Sequence, residues 1–137
     1  MKNDQELYGL KELALEYCRQ RGLHVNQNIQ HLGLDSQIQM TIQNGDSQEN
    51  IGVLIKDWKR AVGVDIVIRA EQIMKATRLI SKILVVSNFF SDPARSLADK
   101  IGIFLLTRKD LLRILTSEMK SKSVEESVKN RQNVMLY

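Results

Sequence analysis

Val53-Leu54-Ile55-Lys56-Asp57-Trp58-Lys59-Arg60-Ala61-Val62-Gly63-Val64 is the stretch on which the fold turns. An apolar run ends in a lysine, a tryptophan follows among basic residues, and a Val-Gly-Val step leads into a segment of helical periodicity. The apolar part reads as a strand over 51–56, with 60–63 as a loop and a helix from about Val64 to Leu79. Immediately upstream, Ile38, Met40 and Ile42 alternate with Gln37, Gln39, Thr41 and Gln43. A period of two marks a strand with one buried face. Asn44-Gly45-Asp46-Ser47 between the two strands is a turn signal, so they are expected to form an antiparallel hairpin. Farther upstream, a short strand around Leu23 to Ile29 follows a helix on which Leu7, Leu10, Leu13, Ala14 and Tyr17 recur. Asp4 is placed to cap that helix and Gly22 to stop it.

Downstream, Ile83-Leu84-Val85-Val86 is continuously apolar, as in a parallel strand covered on both faces. Ser91 caps the next helix, with Pro93 in its first turn, Ala94, Leu97, Ala98 and Ile101 on one side, and Gly102 at its end. Ile103 to Leu106 is a second buried strand, and Thr107 to Asp110 opens a helix carrying Leu111, Leu112 and Leu115. The expected class is α/β, a mixed sheet joining an antiparallel meander to a right-handed βαβ crossover, with helices on both faces. Residues 1–116 make the domain and 117–137 a polar tail. In the tail, Ser123-Val124-Glu125-Glu126 fits a capping box for a short helix, and Val134-Met135-Leu136-Tyr137 either frays or docks.

Composition narrows the function classes. At 137 residues, with 43% hydrophobic and 26% charged, the chain has the make-up of one globular domain. A single cysteine, Cys18, rules out an internal disulfide and reads as a small buried helix residue; no Cys/His cluster has zinc spacing. The segment Met1 to Glu6 is polar, and no apolar run reaches the ~20 residues needed to cross a bilayer, so a cytoplasmic protein is expected. A net charge of +4 with a pI near 9.3 permits nucleic-acid binding without requiring it.

Two stretches together resemble the Mrr-like branch of the restriction-endonuclease fold, within the PD-(D/E)xK nuclease superfamily. The first is Val53 to Val64, where the lysine, the aromatic and the Val-Gly-Val turn occur in register. The second runs from Val85-Val86-Ser87-Asn88 through Phe90-Ser91-Asp92-Pro93-Ala94-Arg95 to Ala98, then through Ile103 to Leu106 and on to Asp110-Leu111. With the first helix, the resemblance covers about residues 5 to 116. It implies a restriction-endonuclease-like fold, which is the element order that periodicity already suggests.

The resemblance also implies a chemistry. Such nucleases hold Mg²⁺ with an aspartate on the second strand and an Asp, Glu or Gln on the third; the metal stabilises charge on the scissile phosphate and lowers the pKa of a bound water. A lysine two residues after the second ligand orients the nucleophile. Lys56 matches that lysine, but its partner position is Leu54, which shares its strand face and offers no oxygen. The aspartate position falls on either Asp35 or Gln39. Asp35, Gln37 and Gln39 share strand parity, so Asp35 or Gln39 is expected to face Lys56. Glu6 on the first helix and Glu71 on the helix after the third strand are places where relatives carry accessory or relocated acids; both also fit ordinary solvated glutamates. Asp35 is the one metal-ligand candidate, and Mg²⁺ the cofactor if the domain is active.

Lys56, Lys59 and Arg60 cluster around Trp58, with Arg69 on the next helix; the cations suit phosphates and the ring suits a base. Arg108, Lys109 and Arg113 form another basic group, and Phe89 and Phe90 are divided between core and surface. Three readings follow. The first is a catalytically impaired nuclease-fold domain that binds DNA or a DNA-processing protein. The second is an active Mg²⁺-dependent DNA endonuclease using Lys56 with Asp35, Glu71 or Glu6. The third is a structural subunit of a protein complex. The resemblance also suggests a homodimer, since a two-fold assembly suits cutting two strands.

Overall fold

The computed structural model describes residues 9–45 and 49–117. Helix α1 (Leu10–Gln20) leads to β1 (His24–Asn26) and a 3-10 turn (Gln30–Leu32). Strands β2 (Met40–Gln43) and β3 (Asn50–Lys56) follow, then α2 (Val64–Lys75), β4 (Lys82–Ser87), α3 (Asp92–Ile101) and β5 (Phe104–Thr107). A final helix, α4, occupies 108–117. The five strands form one sheet in sequence order, antiparallel from β1 to β3 and parallel from β3 to β5. This is the meander joined to crossovers that the sequence predicts, and the fold is α/β of the restriction-endonuclease-like kind.

Both sheet faces are buried, which explains the unbroken apolar runs of β3 and β4. On one face Leu54, Ile83 and Val85 pack with Val67, Ala70 and Ile73 of α2 and with Ala94 and Ala98 of α3. On the other, Val53, Ile55 and Val86 meet Leu10, Leu13, Ala14 and Cys18 of α1 and Leu111 and Leu115 of α4. Phe90 belongs to the first layer, whereas Phe89 is 57% exposed.

Element ends depart from the periodicity in ways that local chemistry explains. Asp4 and Leu7 lie outside the described residues, as do 46–48 of the hairpin turn and the tail beyond 117; α1 as described starts at Leu10 with Gly9 in the N-cap position. The expected strand over 23–29 shortens to His24–Asn26, because the chain turns into the 3-10 segment that Gly33 closes in the left-handed region at φ 72°. Helix α2 stops at Lys75 rather than Leu79: Thr77 Oγ1 accepts the Leu79 N–H at 3.0 Å, an alternative to helical bonding. Ser91 caps α3 as expected, accepting from Ala94 N at 3.2 Å.

One correction matters for the site. The alternation over Ile38, Met40 and Ile42 does not hold throughout. Ile38 joins the Leu54 layer, whereas Met40 and Ile42 join the Val53 layer. Gln39 N donates to Val53 O at 2.9 Å, and Val53 is also the ladder partner of Met40. Two residues of one strand therefore oppose one of the other, which is a β-bulge and reverses the faces on either side of it. Gly52 accommodates the result: a Cβ there would stand 3.1 Å from Ile38 Cδ1 and 3.0 Å from Ile80 Cδ1.

Candidate nucleic-acid interface

Lys56, Ser87 and Thr107 align in register at the carboxyl ends of the three parallel strands. In open α/β sheets this edge is where ligands bind, because the loops that follow the strands converge there. A hydrogen-bonded network braces it. Asn88 Nδ2 donates to Asp57 Oδ1 at 2.9 Å and to Trp58 O at 2.8 Å, while Asn88 Oδ1 accepts from Arg108 Nε at 2.8 Å. Arg108 Nη2 also stands 3.6 Å from Asp57 Oδ1. Asp57 Oδ2 accepts the Leu10 N–H at 3.4 Å, so the carboxylate directly after β3 meets the positive end of α1. Downstream, Thr107 and Asp110 form a reciprocal capping box at the start of α4: Asp110 N donates to Thr107 Oγ1, and Thr107 N to Asp110 Oδ2, each at 3.0 Å. Burial alone would raise the Asp110 carboxyl; the hydrogen bonds from Thr107, aided by Arg113 and Arg95, hold it below its ordinary value.

The loop after β3 is anchored by its Val-Gly-Val step. Val62 is fully buried, bridges to Phe90, and its N–H donates to Phe89 O at 2.9 Å. This fixes where Trp58, Lys59 and Arg60 emerge. Trp58 packs partly on the Leu54 layer. Its ring carries the Arg60 guanidinium 4.1 Å from the centroid and Lys56 Nζ at 5.4 Å, so the aromatic positions two cations.

The residues singled out as nuclease ligands fall as follows. Lys56 Nζ donates to Gln37 Oε1 at 2.8 Å. Asp35 lies in a turn before β2; its Oδ1 accepts the Gln37 N–H at 2.9 Å and its Oδ2 pairs with Arg69 Nη2. Gln39 Nε2 donates to Ile55 O at 3.2 Å. Leu54 is fully buried. Glu71 pairs with Lys75 at 3.5 Å, one turn along α2, and Glu6 lies outside the described residues. Arg69, expected among the nucleic-acid contacts, is engaged by Asp35. The structure thus brings Lys56, Trp58, Arg60 and Gln37 together. Gln37, Asp57, Asn88 and Arg108 are not among the expected site residues, although Asp57 and Asn88 lie within the two stretches that carry the resemblance and Arg108 within a basic group.

These side chains do not fit a magnesium ion. Mg²⁺ is held through carboxylate oxygens in octahedral geometry, and β3 carries no carboxylate, with a buried leucine two residues before Lys56. Among the described residues, no three His, Cys, Asp or Glu side chains group closely enough to hold a metal ion.

Comparison with known proteins places this architecture. A model of the Mrr catalytic domain, described as restriction endonuclease, matches residues 3–115. The chain belongs to the Mrr restriction endonuclease family. Lys56 and the loop through Val64 therefore sit within the stretch that matches Mrr domains. A crystal structure of a protein of unknown function shares the fold, with a TM-score of 0.58 at 14% identity over 76% of this chain. The chain spans 64% of that protein's length. No curated protein matches the chain. No helix among the described residues is long and apolar enough to cross a membrane.

Proposed function

We propose that this Mrr-fold domain binds DNA without cutting it. The observation that carries the reading is Leu54: a fully buried leucine occupies the strand position, two before Lys56, from which a nuclease presents a metal ligand. Neither a proton nor a metal exchanges with an aliphatic side chain, so Lys56 is left without the ligand that would make it part of a hydrolytic centre. Asp35, the nearest candidate acid, is occupied by Arg69 and the Gln37 N–H. What remains at the carboxyl edge is basic: Lys56, Lys59 and Arg60 around Trp58, a set suited to phosphates.

The test combines cleavage and binding. Supercoiled plasmid incubated with the full chain and Mg²⁺ or Mn²⁺ is expected to stay intact. Trp58 is the sole tryptophan, so its fluorescence is expected to change on titration with duplex DNA. The apparent affinity should fall steeply with salt, and Lys59→Ala/Arg60→Ala should flatten that dependence. Nicking abolished by Lys56→Ala would establish an active endonuclease instead. A folded chain that ignores DNA at low salt would leave a protein-binding role in its place.

A further inference from the structure

We infer that the metal centre implied by the fold has been replaced by a direct, metal-free grip on the phosphate backbone, centred on Lys56 with Arg60 held beside it by Trp58. This rests on the DNA-binding reading and adds how the backbone is held. In an acidic nuclease site the carboxylates repel the phosphate, and the divalent ion is what lets it approach. The arrangement here has lost that need, because neutral groups stand where acids would.

The partner of Lys56 is an amide. Gln37 Oε1 takes one of its three N–H donors at 2.8 Å and leaves the positive charge uncompensated. Among the described residues no carboxylate pairs with Lys56, Lys59 or Arg60. The two nearby acids are spoken for: Asp35 by Arg69 and the Gln37 N–H, Asp57 by Asn88, Arg108 and the Leu10 N–H. Arg60, 4.1 Å from the Trp58 centroid, is restrained before any ligand arrives, which lowers the entropy lost when its planar fork meets a phosphate.

The experiment measures anisotropy of a fluorescein-labelled short duplex with the full chain in EDTA and in MgCl₂ at matched ionic strength. Affinity in EDTA is expected to equal or exceed that in Mg²⁺, since the ion competes for the same phosphates. Lys56→Met and Arg60→Ala should each weaken binding in EDTA and reduce the salt slope by about 0.9. Binding that requires Mg²⁺, or that neither variant alters, overturns the inference while leaving DNA binding intact. Binding in neither buffer overturns the DNA-binding reading and the grip with it. Calorimetry of Mg²⁺ and Mn²⁺ into the DNA-free chain reads the metal separately: no saturable heat is expected, and a saturable one refutes metal independence whatever the DNA result.

Discussion

Lys56 and Gln37, 19 residues apart, are joined by a 2.8 Å hydrogen bond from the ammonium to the amide oxygen. The lysine is therefore oriented without being neutralised. Gln37→Glu would turn this contact into an ion pair and cancel the charge offered to a ligand. We expect duplex affinity to drop by about five- to tenfold at low salt and to converge with the parent at high salt. Stability should change by only about 0–1 kcal/mol, because the pair is partly exposed. Anisotropy across a salt series and urea melts of both proteins check this.

Leu54 is a core residue before it is anything else. It packs in the layer with Val67, Ile83 and Val85, so Leu54→Ala should cost about 2–5 kcal/mol. Leu54→Glu should destabilise the domain without creating a magnesium site, since it buries a carboxylate while Arg69 retains Asp35. Urea denaturation followed by Trp58 fluorescence gives the first quantity, and calorimetry with Mg²⁺ the second. A stable, metal-binding Leu54→Glu would contradict both.

The capping box at α4 makes stability depend on pH in a predictable direction. Asp110 is held below its ordinary value, so its charged form is favoured in the folded state. Its contribution is present above the unfolded value and is lost as pH falls through the folded one. Asp110→Asn should therefore be destabilising near neutrality, by about 1 kcal/mol for a lost cap, and the gap to the parent should close on acidification. Thermal melts at neutral and acid pH measure the gap; one that widens in acid would refute the assignment.

Cys18 is buried in the core layer that α1 and α4 share on the sheet, and burial pushes its thiol up to about 11. As the single cysteine, it is expected to resist a thiol reagent in the native state and react when the chain is unfolded. The raised value favours the protonated form, so its contribution is complete below the ordinary thiol range and is lost as pH rises through about 11. Labelling rates with and without urea, followed by mass spectrometry, test this; rapid labelling of the folded protein would show that α1 opens locally.

The layout of elements was readable from the chain because burial imposes period. Alternation marked β2, continuous apolar runs marked β3 and β4, and Ser91 and Gly102 bounded α3 with the conformations those residues favour. The basic loop and the missing oxygen at Leu54 were equally readable, since they depend only on which residue occupies a strand position. Side-chain partners were not. Parity puts Asp35, Gln37 and Gln39 on one side of the strand and cannot choose among them; in the structure Gln37 meets the lysine, while Gln39 lies in the bulge and donates to Ile55 O. A bulge depends on how two strands pair, a relation between distant residues that neither strand displays alone. Arg69, Asn88 and Arg108 reach their acids across 34, 31 and 51 residues respectively, separations over which local pattern carries no information. The sequence by itself determined the fold and the absence of a carboxylate on β3. Only the tertiary structure decided which charges are cancelled and which stay open, because that balance depends on distances the chain acquires when it folds.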